Sequence, residues 1–273
     1  MNLKSISKFT DDWPEGQKMP VLFVGHGNPM NAILENDITD GWRKMAKGMI
    51  PKAILCISAH WQTNGTRVTM AEKPKTIHDF GGFPQKLFQV QYPAPGAPKM
   101  AGELIKTVKN TTVQEDHDWG LDHGTWSVLV KMFPEANVPV FQLSLDYTKR
   151  PEYHYALGRE LSNLRKKGVL IVGSGNTIHN LRMAQWDSSI AYDWAEIFDN
   201  TTKELILKKD HKPLINYSHL GKEAHLSIPT NEHYLPMLYT LALQEQEDQL
   251  TFFNETIEMG SISMRSFLFS SEQ

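Results

Sequence analysis

The chain has 273 residues, of which 40% are hydrophobic and 22% charged, proportions that are typical of a globular domain. Its formal net charge of -3 argues against a nucleic-acid or anionic-membrane partner, and no apolar stretch approaches the roughly 18–20 residues of a membrane-spanning helix. Cys56 is the only cysteine, which excludes an intramolecular disulfide. The polar N-terminus lacks the apolar core of a secretion signal, so we expect a cytoplasmic protein.

The predicted elements alternate between strands and helices. After an irregular lead-in at 1–19, the pattern predicts in chain order a strand at 20–24, a helix at 38–49, a strand at 53–58, a loop rich in Pro and Gly at 74–98, helices at 97–110 and 125–133, a strand at 138–145, a helix at 151–168, a strand at 168–175, helices at 191–209 and 232–246, and late strands at 250–257 and 261–269. This order predicts a single α/β domain over 20–273. Its central sheet is mostly parallel and flanked by helices.

Three histidines follow predicted buried strands. His26 lies in "VLFVGHG", His60 in "AILCISAH" and His179 in "VLIVGSGNTIH". Ligands of open α/β sheets bind beyond the carboxyl ends of the strands, so we expect these side chains to share one site at that edge. The glycines on either side of His26 permit tight backbone geometry and the close approach of another segment.

Two further histidines lie outside the strands. His123 is in the turn-rich segment "DWGLDHGTW", where Asp118 or Asp122 could orient or cap it. His233 is in "PTNEHYLP" at a predicted helix start, with Asn231 as the expected N-cap. The long loop contains His78, for which we favour a substrate-facing position. We interpret the remaining histidines as solvated or structural: His117, His154, His211, His219 and His225.

A cluster of imidazoles is a good binding site for Zn, Fe, Cu or Ni. A structural zinc site of the cysteine type is excluded, because no cysteine lies near these histidines. The chain also lacks the HExxH, P-loop and dinucleotide-binding motifs. Ligands that come from distant parts of the chain favour a catalytic metal site with open coordination positions.

Eight short motifs together point to a family. They are "GHGNPM", "SAHW", "IHDFGGFP", "YPAPG", "GLDHGTW", "GSGNTIHN", "EHYLP" and "GSISM", and they run from about residue 20 to about residue 266. In this order they resemble the class III extradiol ring-cleavage dioxygenases, and most closely the DOPA 4,5-dioxygenase branch. The resemblance implies one α/β domain with a non-haem metal at the sheet edge, which uses O₂ to open a DOPA-like catechol ring to a semialdehyde.

The resemblance also implies a role for each histidine. His26, His60 and His233 are expected to bind the metal, with Glu232 as an alternative last ligand. His179 is expected to be a fourth ligand or the base that takes a catechol proton, and His123 the acid or a donor to bound oxygen. Fe(II) is expected for the oxygen chemistry, although an all-histidine set also suits Zn(II). The expected substrate contacts on the rim are His78, Phe80 and Phe83, with Tyr92 nearby.

Three other functions are compatible with the same residues. A zinc hydrolase would use the cluster to activate water, with His123 or Asp122 as base. A non-enzymatic metal protein would close four histidines around zinc and leave no open position. A purely structural α/β domain would make the histidines at the strand ends a coincidence.

Overall fold

A computed structural model describes residues 17–186 and 190–271. Most of the predicted lead-in lies outside these ranges, and residues 17–19 have no regular structure. The strands are β1 (Val21–Gly25), β2 (Ala53–Ser58), β3 (Gln62–Thr63), β4 (Thr66–Thr69), β5 (Val113–Asp116), β6 (Val140–Gln142), β7 (Leu145–Asp146), β8 (Val169–Gly175), β9 (Gln249–Phe253), β10 (Ile257–Glu258), β11 (Ile262–Ser263) and β12 (Ser266–Ser270). The α-helices are α1 (Asp37–Ala46), α2 (Gln85–Phe88), α3 (Pro98–Thr107), α4 (His123–Met132), α5 (Pro151–Glu160), α6 (Ser162–Lys166), α7 (Asp193–Leu207), α8 (His211–Ile215), α9 (Lys222–Ser227) and α10 (Leu235–Ala242).

Within the described ranges, the central sheet has six strands in the order β6-β2-β8-β1-β12-β9. The four strands from β6 to β1 are parallel, whereas β12 runs antiparallel to both of its neighbours. This confirms the predicted mostly parallel sheet. The register pairs Gly25 with Gly175 and Ser58 with Ser174, so β1, β2 and β8 end side by side. Residues that follow these strands therefore emerge at one edge.

Both faces of the sheet are covered, which is why the parallel strands are apolar throughout rather than alternating. Every residue of β2 and β8 is buried. Val21 and Phe23 pack into the layer that contains α3, α5 and α10, while Leu22 and Val24 pack into the layer of α1 and α4. Burying each such side chain contributes about 1.5–3 kcal/mol to the stability of the sheet whose edge carries the ends of β1, β2 and β8.

Several element boundaries differ from prediction. The helix predicted at 151–168 is two helices, α5 and α6, and the strand predicted at 138–145 is divided into β6 and β7. The loop at 74–98 includes α2, and the short helices α8 and α9 lie where no element was predicted. Short elements contain too few residues for an apolar period to be visible in the sequence.

Two predicted helix caps have different outcomes. The Asp122 side chain accepts a hydrogen bond from the Thr125 N–H and caps α4, as expected. Asn231 does not act as a side-chain cap, since α10 begins only at Leu235. Instead, the Asn231 carbonyl accepts hydrogen bonds from the N–H groups of Tyr234 and Leu235, which forms a turn ahead of the helix. In the described ranges, no helix combines the length and apolar character that crossing a bilayer requires.

Candidate metal centre

His26 leaves the end of β1 through a tight turn. Its backbone N–H donates to the Gly175 carbonyl at 3.0 Å, which fixes it at the edge shared with β8. A Cβ atom on Gly25 would lie 2.7 Å from the Met264 backbone, and Gly27 has a φ of +57°. Both glycines are therefore required, the first by close approach and the second by its left-handed conformation.

His60 and His233 reach the same edge from other directions. The Ala59 N–H, one residue before His60, donates to the Ser174 carbonyl at 3.0 Å. The His233 carbonyl accepts from the Asn176 N–H at 2.8 Å, which ties the turn before α10 to the end of β8. A Cβ atom on Gly175 would collide with that carbonyl, so this approach also depends on a glycine.

The structure brings together three of the predicted histidines, His26, His60 and His233. One ring nitrogen from each lies within 4.8 Å of the others. The ring centroids are 5.0–5.2 Å apart, and the Nε2 atoms of His26 and His60 are separated by 3.2 Å. Three nitrogens this close can share one ion as common ligands.

The other ring nitrogen of each histidine has an oxygen partner. His26 Nδ1 lies 3.0 Å from Ser174 Oγ, a hydroxyl that donates its own proton to the Gly124 carbonyl. His60 Nδ1 is 3.3 Å from Asp79 Oδ2. His233 Nδ1 is 3.0 Å from Glu232 Oε1. Because each Nδ1 is placed to donate to an oxygen, each Nε2 keeps its lone pair for a metal, which is the usual arrangement of ligating histidines.

Burial keeps these imidazoles neutral. It lowers the pKa of His26 and of His233, with further lowering from the charges of neighbouring histidines, and it lowers the pKa of His60 to about 3. Neutral imidazole is the form that binds metal. The donor set therefore fits one divalent ion without the loss of a proton from these rings.

His179 occupies a different position. Its ring stacks on that of His233, with centroids 3.5 Å apart and planes inclined by 7°. A ligating nitrogen binds metal along its lone pair, in the plane of the ring, and one ion cannot lie in two parallel planes. In this geometry one ion can take a lone pair from only one of the two rings; His233 is grouped with His26 and His60, whereas His179 is grouped with Glu232 and His233. Burial lowers the pKa of His179 to about 4, against the attraction of Glu232.

Asp79 is a site residue that the sequence interpretation missed. Its Oδ1 accepts the His123 backbone N–H at 2.8 Å, and its Oδ2 lies 3.0 Å from His123 Nδ1. Burial opposes ionisation of this carboxyl, but the hydrogen bond and charge of His123, together with the charge of His60, hold its pKa below the ordinary value. Asp79 stands in the motif "IHDFGGFP", in which the sequence predicted His78 as the site residue.

A cavity of about 220 Å³ opens above the histidines. His26, His60, His123, His179 and His233 form its polar part. The apolar part is formed by Pro29, Phe80, Phe83, Leu181, Trp186, Met259 and Ile262. The cavity counts against a closed four-histidine zinc site, which would leave no space for a ligand.

Of the four predicted rim residues, Phe80 and Phe83 line the cavity, whereas His78 and Tyr92 do not. Phe80 packs against His123 and Phe83, at centroid distances of 5.3 and 5.4 Å. His78 lies behind Phe80, outside the described cavity lining, and its Nε2 is 3.0 Å from the Val90 carbonyl. Tyr92 is a core residue rather than a rim residue, since it is buried and its hydroxyl donates to a backbone carbonyl.

Residues 20–261 match the family described as the catalytic LigB subunit of aromatic ring-opening dioxygenase. The chain belongs to this family. It is 46% identical to the 4,5-DOPA dioxygenase extradiol of Escherichia coli K12 over 257 residues, which cover 91% of this chain and 94% of that protein. A protein of the same name from Beta vulgaris is 33% identical over 92% of this chain and 96% of its own length.

A crystal structure of an uncharacterized Escherichia coli K12 protein has the same fold as this dioxygenase. The two superpose with a TM-score of 0.81 at 40% identity, over 92% of this chain and all of that one. The chain of 273 residues is therefore an extradiol ring-opening dioxygenase. Enzymes of this kind depend on a non-haem metal and act on a small aromatic molecule with O₂. The hydrolase alternative finds no support among these relatives.

Proposed function

We propose that this dioxygenase is an Fe(II) enzyme that opens the ring of a DOPA-like catechol by 4,5-cleavage, with a semialdehyde as product. The observation that carries the proposal is the convergence of three Nε2 donors beneath a cavity of catechol size. The relatives named 4,5-DOPA dioxygenase extradiol support the choice of substrate. His26, His60 and His233 would hold the metal.

A bound Fe(II) supplies positive charge that favours a deprotonated catechol, and a redox-active centre between the ring and O₂. Zn(II) fits the same three donors but has no accessible redox change. Iron is therefore the metal that we assign to the reaction. Glu232 stays with His233 Nδ1 and the Thr230 hydroxyl, both at 3.0 Å, and orients that ligand instead of replacing it.

His179 is the proposed base. It faces the cavity, and the low pKa that burial gives it keeps the ring neutral at pH 7 and able to accept a catechol proton. The nearby Glu232 carboxylate stabilises the cation that forms when the proton arrives. The stacking on His233 holds the His179 ring in place, because a shift in either ring would break the contact.

His123 is the proposed acid. The Asp79 carboxylate lies against its Nδ1 and stabilises a protonated ring, so that a proton at Nε2 is available to oxygen in the cavity. Asp79 also holds the His123 backbone through Oδ1, which fixes the start of α4. Phe80 and Phe83 would pack against the catechol ring and exclude water.

Oxygen uptake tests this function. The metal-free protein is reconstituted anaerobically with Fe(II) or, as a control, with Zn(II), and is then mixed with L-DOPA and other catechols in air. We expect the Fe(II)-loaded protein to consume oxygen and form a yellow semialdehyde, and the Zn(II)-loaded protein to do neither. No oxygen consumption with any catechol would refute the proposal.

The role of His123 is tested separately. His123→Gln should lose about 10²–10⁴-fold in kcat, the usual contribution of a general acid, while its iron content stays at the wild-type level. Loss of iron from this variant would instead make His123 part of the metal site.

A further inference from the structure

The catalytic cavity is too small for a complete catechol amino acid. A cavity of about 150 Å³ binds benzene, so the roughly 220 Å³ here accommodate a dihydroxy ring and little more. A substituent on the ring has to extend beyond it. The substituent can extend into a neighbouring groove of about 700 Å³. This groove shares the lining residues Asn28, Trp186 and Met259 with the catalytic cavity.

Glu258 lies on the wall between these two spaces. It is a residue of β10 and is directly opposite Ile262 of β11, and opposed residues of an antiparallel pair face the same side. Ile262 lines the catalytic cavity and Glu258 lines the groove. A Cβ atom built on Gly27 would lie 3.7 Å from Glu258 Oε2, which places the carboxylate next to the residue that follows His26.

The Glu258 carboxylate has no hydrogen bond and no ion pair within residues 17–186 and 190–271. By contrast, Glu255, three residues earlier, pairs with Lys203 at 2.6 Å. The Glu258 side chain is half-buried, and this burial raises its pKa. A carboxylate that has lost part of its hydration and gained no partner is stabilised when a positive charge binds to it.

We propose that Glu258 determines specificity by binding the protonated amine of a catechol substrate whose ring lies over the histidines. The inference rests on the proposed function and adds to it the residue that would recognise the ammonium group on the short side chain of such a catechol. The same carboxylate repels a ring substituent that carries only a negative charge. Glu258 takes no part in the ring-opening steps.

Four catechols separate the charges of the side chain. L-DOPA carries an amine and a carboxylate, dopamine only the amine, 3,4-dihydroxyphenylpropionate only the carboxylate, and 4-methylcatechol neither. In the iron enzyme, Glu258→Gln should lower kcat/KM about tenfold for L-DOPA and dopamine, mainly through KM, because one charge-assisted contact is lost. For 4-methylcatechol we expect no change, and for the propionate an improvement.

Asp37→Asn is the matched control. Asp37 lines the same groove and loses the same charge, but it is exposed and is not among the residues that line the catalytic cavity. We expect the amine-bearing substrates to keep their wild-type kinetics in this variant. Equal losses from both substitutions would show that the overall charge of the groove is responsible, and would overturn the assignment to Glu258.

Calorimetry keeps this test independent of turnover. Dopamine and 4-methylcatechol are titrated into Zn(II)-loaded wild-type protein and the Glu258→Gln variant. We expect the wild type to bind dopamine more tightly, and the variant to lose that preference. A wild type without the preference, or a variant that retains it, would overturn the inference, and so would equal kinetic losses for all four catechols in the iron enzyme. If the iron enzyme consumes no oxygen, the proposed function fails, and calorimetry still decides the role of Glu258.

Discussion

Replacing Asp79 by asparagine exchanges a carboxylate that contacts two histidines for a neutral amide. Asp79 Oδ2 lies 3.0 Å from His123 Nδ1 and 3.3 Å from His60 Nδ1, while Oδ1 accepts the His123 N–H. The side chain is 19% exposed, so water replaces little of what is lost. The hydrogen bond from the His123 N–H to this carboxylate contributes about 1.5–3 kcal/mol, and the two close imidazole contacts add an electrostatic attraction to it.

We expect Asp79→Asn to have two separate effects, one on metal binding through His60 and one on kcat through His123. Through His60, the loss of a carboxylate behind a proposed metal ligand should weaken metal binding by about 10–100-fold. Through His123, the loss of the charge that stabilises a protonated ring should lower kcat by about 10²–10⁴-fold even when the enzyme is saturated with iron. The backbone bond to Oδ1 survives in the amide, so we expect the fold to be retained.

Metal affinity is measured by competition with a chromophoric chelator, and kcat by oxygen uptake at saturating iron and catechol. Asp118→Asn, which removes a charge from an exposed residue ahead of α4, is the control and should resemble the wild type. If Asp79→Asn keeps both the wild-type metal affinity and the wild-type kcat, Asp79 neither orients His60 nor stabilises a protonated His123, and the reasoning is wrong.

Three further predictions follow from other contacts. Glu232→Gln should weaken zinc binding by about 10–100-fold in chelator competition, because the carboxylate orients His233, and an unchanged affinity would contradict that role. Gly124→Ala would place a Cβ atom 2.9 Å from His60 Cδ2, so we expect about 1–3 kcal/mol less free energy of unfolding in urea together with weaker metal binding; wild-type values of both would show that the site yields easily. Burial lowers the pKa of His154 to about 4, so the metal-free protein should lose stability as the pH falls from about 6.5, where the unfolded chain begins to bind this proton, towards 4. His154→Gln should flatten the dependence of the unfolding free energy on pH in that window by at most about 1.4 kcal/mol per unit, whereas an unchanged slope would mean that His154 titrates normally.

The central sheet could be predicted from the sequence because buried parallel strands are visible as continuous apolar runs. The runs around Val24, Ile57 and Val172 became adjacent parallel strands. Since the carboxyl ends of parallel strands meet at one edge, the expectation that His26 and His60 lie together required no knowledge of side-chain packing. His233 was placed with them only through the resemblance of "EHYLP" to a family motif.

Only the tertiary structure decided how side chains from separate segments pair. Asp79 reaches His60 and His123 across 19 and 44 positions of the chain, and the pairing depends on how the loop at 74–98 folds over α4. The stacking of His179 on His233 sets the proposed base beside a proposed ligand, and Glu258 stands beside Gly27 because a hairpin near the C-terminus folds back over β1. Hydrophobic periodicity reports which face of an element is buried. It carries no information about the atom that a buried polar group meets, because that depends on the packing of distant elements.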